Sequence, residues 1–171
     1  MNLADDLKAR GLVEHVSADI EKIVAEPRTV YLGVDPTADS MQVGNLAVLL
    51  LAKRLQDAGY RTVFLLGGVT GMIGDPKEKG ERSLLDERVV RANTRALSRQ
   101  LRSLFGWRTT IVNNMDWLGR MQLVSFLRDV GKHFTVNDLV KRDIIKKRLE
   151  TPDESISYTE FTYALLQGYD Y

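Results

Sequence analysis

The stretch from Arg61 to Pro76 (RTVFLLGGVTGMIGDP) constrains this chain more than any other. An apolar, β-branched run passes directly into a turn with four glycines in eight positions, Gly67, Gly68, Gly71 and Gly74. A run whose centre lacks polar alternation predicts a strand covered on both faces, as in a parallel sheet. Glycine at that density is costly in backbone entropy, so the turn predicts close approach of other groups to the main chain. The competing reading is a mobile surface turn.

Two further strands flank it. Thr29–Val34 (TVYLGV), bounded by Pro27 and Pro36, reads as a buried strand, and Arg108–Val112 (RTTIV) reads as a third. The first is followed by a long apolar helix from Val43 to Ala58, closed by Gly59, where φ > 0 carries no steric cost. The second is followed by a helix from about Asp86 to Phe105, with Val90, Leu97, Leu101 and Leu104 on one side. Strand–helix–strand–helix–strand predicts an α/β fold with a Rossmann-like parallel sheet.

Leu3, Leu7, Leu12 and Val16 precede this core at helical spacing, and Ser17 reads as the cap of a short helix carrying Ile20, Ile23 and Val24. After Asp116 the chain reads as helical over 117–130, 136–149 and 158–169. The expected parts are N-terminal helices over 1–28, the Rossmann-like half over 29–115 and a helical segment over 116–171. No Pro/Gly/Ser-rich linker separates them.

Composition excludes several function classes. The 171 residues include no cysteine and two histidines, His15 and His133, which removes disulfides, thiolate nucleophiles and cysteine- or histidine-rich metal sites. With 24 basic against 23 acidic residues, bulk charge does not announce a nucleic-acid binder. Two acids lie within the first six residues, and the longest apolar run, Leu46–Ala52, is far short of the ~20 residues a membrane span needs. A cytoplasmic protein with no membrane partner is expected. The charge runs at 77–88 and 141–148 read as solvated faces, the sharper alternative being that Lys141, Arg142, Lys146, Lys147 and Arg148 line a path for RNA.

In an open α/β sheet, function collects in the crevice at the carboxyl ends of the strands. There the first strand delivers Asp35, Pro36 and Thr37, and the next helix begins near Met41–Asn45 (MQVGN). A helix N-terminus suits a phosphate, and Gly44 would let a base or ribose approach. The bland alternative makes Asp35–Pro36 a turn, Ser40 a cap and Gly44 a packing residue. Asp75, closing the glycine-rich turn, should face the same crevice as Asp35. Tyr163, Gln167 and Asp170 fall at i, i+4 and i+7, one helix face and so one shared pocket. Neither a G-x-G-x-x-G fingerprint nor a P-loop is present, which demotes nicotinamide oxidoreductases and P-loop ATPases.

Taken together, YLGVDPTADSMQVGNL (31–46), GGVTGMIGDP (67–76), NNMDW (113–117), FLRDVGKHF (126–134) and ISYTEFTYALLQGY (156–169) resemble the bacterial tyrosyl-tRNA synthetases, class I aminoacyl-tRNA synthetases. The resemblance covers nearly the whole chain and implies an N-terminal part of the catalytic domain, without the family's downstream lysine-rich ATP loop. It implies a tyrosine phenol held between Tyr31 and Asp170, and its ammonium group near Asp75, Tyr163 and Gln167. It implies ATP, with Mg2+, beside Asp35 and Thr37 and against Gly33 and Gly44. Partners would be L-tyrosine, ATP and, in a full-length enzyme, tRNA(Tyr), with a homodimer formed around 156–161 and 117–134. Thr37, Gln42 and Asn45 are the expected catalytic positions.

One departure stands out. In the family signature H-[IVL]-G-[HN] the first residue is histidine, and here it is Gln42. Glutamine donates a hydrogen bond but cannot become cationic, so slower activation is expected. Leu32 and Val48 also occupy positions where the family has polar ribose contacts. The alternative function is a catalytically silent tyrosine-binding module. Another nucleotidyl-transferring Rossmann enzyme would lack the Asp75 loop combined with YALLQGYD.

Overall fold

A computed structural model describes residues 2–77, 79–80 and 83–171. Within the 77–88 charge run, Glu78, Glu81 and Arg82 lie outside the described residues. The elements in order are α1 (Leu3–Ala9), α2 (Ile20–Ile23), β1 (Thr29–Val34), α3 (Val43–Asp57), β2 (Arg61–Leu66), α4 (Thr70–Ile73), α5 (Glu87–Phe105) and β3 (Thr110–Asn113), then α6 (Leu123–Ser125), α7 (Val136–Leu139), α8 (Asp143–Glu150) and α9 (Tyr158–Asp170). The three strands form a parallel sheet in the order β1-β2-β3, with Gly33 opposite Leu65 and Leu65 opposite Val112. This is the expected Rossmann-like arrangement.

Side-chain alternation sorts the sheet into two faces. Phe64 and Leu66 of β2 pack with Leu49 and Ala52 of α3 and with Leu97, Leu101 and Phe105 of α5, and Leu32, Val34 and Ile111 join them. The Phe64 and Phe105 rings lie 4.5 Å apart between centroids. Tyr31, Gly33 and Leu65 therefore belong to the opposite face. β2 is buried as expected, whereas β1 is only half-buried, because it lies at an edge and pairs with β2 alone among the described residues. Leu104 is half exposed, and Phe105 takes the core place expected for it.

Local signals were displaced by a residue or two, or broken up. Asp19, not Ser17, caps α2. The third strand starts at Thr110, later than Arg108. The expected helix over 117–130 is a series of short 3₁₀, α and π turns, and 136–149 divides into α7 and α8. Phe126, Phe134 and Phe161 pack on Leu139, Ala164 and Leu165 in a second cluster, which joins α7 to α9.

α8 and α9 are also joined by charge. The guanidinium of Arg148 donates to Glu160 Oε2 at 2.8 Å and also to the Ser155 carbonyl, and the two charged side chains are 2% and 1% exposed. Removing one member of such a pair leaves a buried charge without its partner. Arg148→Met or Glu160→Gln should lower unfolding stability by about 3–5 kcal/mol. The double variant Arg148→Met/Glu160→Leu should recover most of that loss, as read by urea unfolding of all three proteins.

Candidate active-site cleft

The carboxyl ends of β1 and β2, the glycine-rich turn and α9 enclose a cleft of about 500 Å³. Tyr31, Gly33, Asp35 and Thr37 line it from β1 and its exit, Asn45 from α3, Asp75 from the turn, and Tyr163, Gln167 and Asp170 from α9. The i, i+4, i+7 spacing on α9 thus delivers three side chains to one cavity. Asp75 and Asp35 face the same space, as expected.

A hydrogen-bond network spans the floor. Asp35 accepts from the Thr70 hydroxyl at 2.7 Å through one oxygen and from the Tyr163 hydroxyl at 2.8 Å through the other. Asn114, fully buried, accepts from the Val69 N–H at 2.8 Å and donates to Thr70 Oγ1 at 3.1 Å and Asp170 Oδ2 at 2.9 Å. Trp117 Nε1 donates to the other oxygen of Asp170 at 2.9 Å. Thr70, Asn114 and Trp117 were not singled out from the sequence. The only signal for the last two was their place in NNMDW, which assigned them no role.

The glycines explain how these groups meet. A Cβ on Gly67 would collide with Asp35 Oδ1 and Thr70 Oγ1, and one on Gly68 would collide with Asn113 Oδ1. Close approach is therefore the reason for the turn's composition. Gly33 leaves room for the Tyr31 hydroxyl, which would stand 3.3 Å from a Cβ there. At Gly44 a Cβ would meet nothing within 4 Å, so packing does not account for that glycine.

The expected catalytic positions separate. Thr37 and Asn45 line the cleft, and Asn45 Oδ1 accepts from the Gln42 N–H at 3.1 Å, closing the first turn of α3. Gln42 is the N-cap of α3, in the place given to Ser40 by the bland reading; it is exposed and, like Gly44, is not part of the cleft lining. Asp35, expected beside phosphates, lines the cleft and engages the hydroxyls of Thr70 and Tyr163.

The electrostatics follow from this packing. Burial, then the charge of Asp35 and its hydrogen bond, push the Tyr163 hydroxyl well above the ordinary phenol range. Tyr31 is raised by burial and by the charges of Asp170 and Asp35. Burial also raises Asp170 against the opposing hydrogen bonds from Asn114 and Trp117. Among the described residues no cluster of His, Cys, Asp or Glu is arranged to hold a metal ion, and no helix is long and apolar enough to cross a membrane.

The family described as tRNA synthetases class I (W and Y) matches residues 24–171. Tyrosine–tRNA ligase 1 of Vibrio parahaemolyticus is 46% identical over 176 residues, a match covering 99% of this chain and 42% of that protein. The tyrosine–tRNA ligase of Leuconostoc mesenteroides is 46% identical over 175 residues, covering all of this chain and 41% of that protein. A C-terminally truncated mitochondrial tyrosyl-tRNA synthetase of Aspergillus nidulans superimposes with a TM-score of 0.80 at 33% identity, over 98% of this chain and 52% of that one. The chain thus spans less than half the length of the two ligases.

The raised phenols have a defined pH signature. Protonated Tyr31 and Tyr163 are favoured in the fold, so their stabilising contribution is complete below the ordinary value of about 10 and is lost as pH rises through the folded values. Alkaline titration followed at 295 nm should show Tyr31 and Tyr163 ionising later than free tyrosine. Asp35→Asn should bring Tyr163 back toward the ordinary range.

Proposed function

We propose that this chain, which belongs to the class I tRNA synthetases (W and Y), is the tyrosine- and ATP-binding part of a tyrosine–tRNA ligase. The observation that carries the reading is the gathering of Tyr31, Asp75, Tyr163, Gln167 and Asp170 in one cleft beside Gly33, Thr37 and Asn45. In this reading 29–115 is the nucleotide-binding half, and 116–171 supplies the amino-acid wall.

The chemistry of the groups supports it. Asp170, held by two N–H donors, keeps lone pairs for a substrate phenol, and Tyr31 supplies a second hydroxyl. A half-buried acid left facing phenylalanine would lose its substrate partner, which is the basis of discrimination; tyrosyl-tRNA synthetase is itself the standard example of that effect. An α-ammonium wants a carboxylate and neutral acceptors, which Asp75, the Tyr163 oxygen and Gln167 provide.

Activation is in-line attack of the tyrosine carboxylate on the α-phosphorus of ATP: the new C–O–P linkage forms as the bond to pyrophosphate breaks. Thr37, Asn45 and the first N–H groups of α3 serve as neutral donors to the phosphates. Magnesium belongs to this reading only as the companion ion of the triphosphate. The chain's residues position and stabilise; none forms a covalent intermediate. In a longer protein the adenylate would pass to tRNA(Tyr). A cytoplasmic homodimer completes the reading: Tyr158, 71% exposed, and Leu123 and Val124 supply apolar surface near the expected interface. Phe126 and Phe161 instead serve the chain's own second cluster.

The silent-module alternative draws on one observation, the exposed Gln42 at the α3 N-cap, where it presents no charge to a departing pyrophosphate.

Calorimetric titration should show this chain binding L-tyrosine in preference to L-phenylalanine, and Asp170→Ala should abolish the preference. Equal affinities for the two amino acids in the unmodified chain would refute the cleft assignment. In tyrosine-dependent ATP–pyrophosphate exchange, the 171-residue chain should be slower than a full ligase by more than ~10²–10³, because charged donors are missing on both sides of the leaving group. Gln42→His should raise that rate by less than about tenfold.

A further inference from the structure

α5 carries five arginines, Arg88, Arg91, Arg95, Arg99 and Arg102, and a single acid, Glu87. At 3.6 residues per turn, all five fall within an arc of about 80°, which flanks the buried stripe of Val90, Leu97, Leu101 and Phe105. They form one line about 21 Å long on the outside of the helix. Arg91 pairs with Glu87. Among the described residues the other four are in no ion pair.

An ordinary solvated face would not need this pattern. Arginines three and four residues apart repel one another, which weakens an isolated helix. The other basic run behaves differently. Lys141 lies 3.7 Å from Asp138 and Lys146 3.9 Å from Glu150, while Arg148 is buried against Glu160. Three members of that run thus have acidic partners, whereas on α5 only Arg91 has one among the described residues, in a chain whose net charge is only +1.

Two grooves and an aromatic accompany it. Arg95, Arg99 and Arg102 line a groove of about 410 Å³ beside Ile111 and Val112 of β3, with Asp116 also in its wall. Arg91 and Arg120 line another of about 460 Å³ beside Gly68 and Asn113, at the carboxyl end of the sheet, with Glu87 and Asp116. At the far end of the line Trp107 is 82% exposed, and the Arg102 guanidinium lies 5.7 Å from its ring centre.

From these features we infer that the α5 arginine face with Trp107 is a binding surface for single-stranded RNA. Guanidinium forks match phosphate oxygens, and a groove of positive charge beside an exposed aromatic ring is how unpaired strands are held, backbone in the groove and a base on the ring. An acidic protein could also use the arginines and the indole; what favours a single strand is the pairing of a basic groove that tracks a backbone with an exposed ring at its end. The inference concerns a face outside the proposed tyrosine cleft and does not rest on that reading.

The test uses the whole chain and a fluorescein-labelled twelve-residue oligouridylate, with binding read by anisotropy between 50 and 200 mM salt. Saturable binding is expected, with log K falling against log[salt] at a slope of about −2 to −3, as three or four phosphate contacts on a single strand require. Arg95→Glu/Arg99→Glu should weaken binding at least tenfold and flatten the slope, and Trp107→Ala should weaken it about tenfold while leaving the slope nearly unchanged. Lys141→Glu/Lys146→Glu should change neither quantity. Circular dichroism and calorimetric tyrosine titration of each variant separate a lost RNA face from a lost fold or a failed cleft assignment. The inference is overturned by no oligouridylate binding at 50 mM salt, or by an equal loss from the Lys141/Lys146 variant. It is also overturned if polyglutamate binds as tightly as the oligonucleotide with no dependence on Trp107, which would make the face a dock for an acidic protein.

Discussion

The carboxamide of Asn114 holds the cleft together. It is fully buried where β3 ends, and its three hydrogen bonds reach the Val69 N–H, the Thr70 hydroxyl and the Asp170 carboxylate. Thr70 passes the connection to Asp35 at the end of β1, and Asp35 passes it to Tyr163 on α9. Four segments far apart in the chain are thereby held in one arrangement. An amide suits this position because it donates and accepts at once, so it can satisfy a main-chain N–H and a carboxylate from the same side chain. Within a poorly solvated region each of these bonds gains strength, and each left unmade would be costly.

That network determines the demands on its neighbours. Asp35 and Thr70 meet over Gly67, a position where any side chain would occupy the space of their hydrogen bond. The sheet in turn brings the ends of β1, β2 and β3 side by side, because its order follows the sequence and its strands are parallel. Two carboxylates, Asp35 and Asp170, thus lie near two phenols, Tyr31 and Tyr163. Partial burial and the nearby negative charge raise both phenols above their ordinary range, so they remain hydrogen-bond donors further into alkaline pH.

Charge elsewhere is divided by the fold in a way that a count of residues conceals. Within the 141–148 run, Lys141, Lys146 and Arg148 pair with acids on α7, α8 and α9, the lysines in exposed pairs and Arg148 in a buried one. On α5 the apolar stripe faces the sheet, and helical geometry places every arginine of the helix on an arc that flanks it. The same net charge of +1 therefore contains one partly paired run and one line that is mostly unpaired among the described residues.

Much of this was legible in the residues. Unbroken apolar runs followed by amphipathic helices announce a parallel sheet, because helical crossovers both return the chain for parallel pairing and cover the strand faces, and the glycine-rich turn announces close approach. The spacing of Tyr163, Gln167 and Asp170 determined that they share a face, since 3.6 residues per turn admits little else. The sequence could not say that Asn114 joins the network, since an asparagine after a strand is ordinarily a turn residue. Nor could it say that Asp35 points at two hydroxyls, or that Gln42 is the helix cap. Those outcomes depend on which side chains from distant segments arrive at the same point. Local periodicity determines which way a residue faces, and only the packed chain determines what it faces.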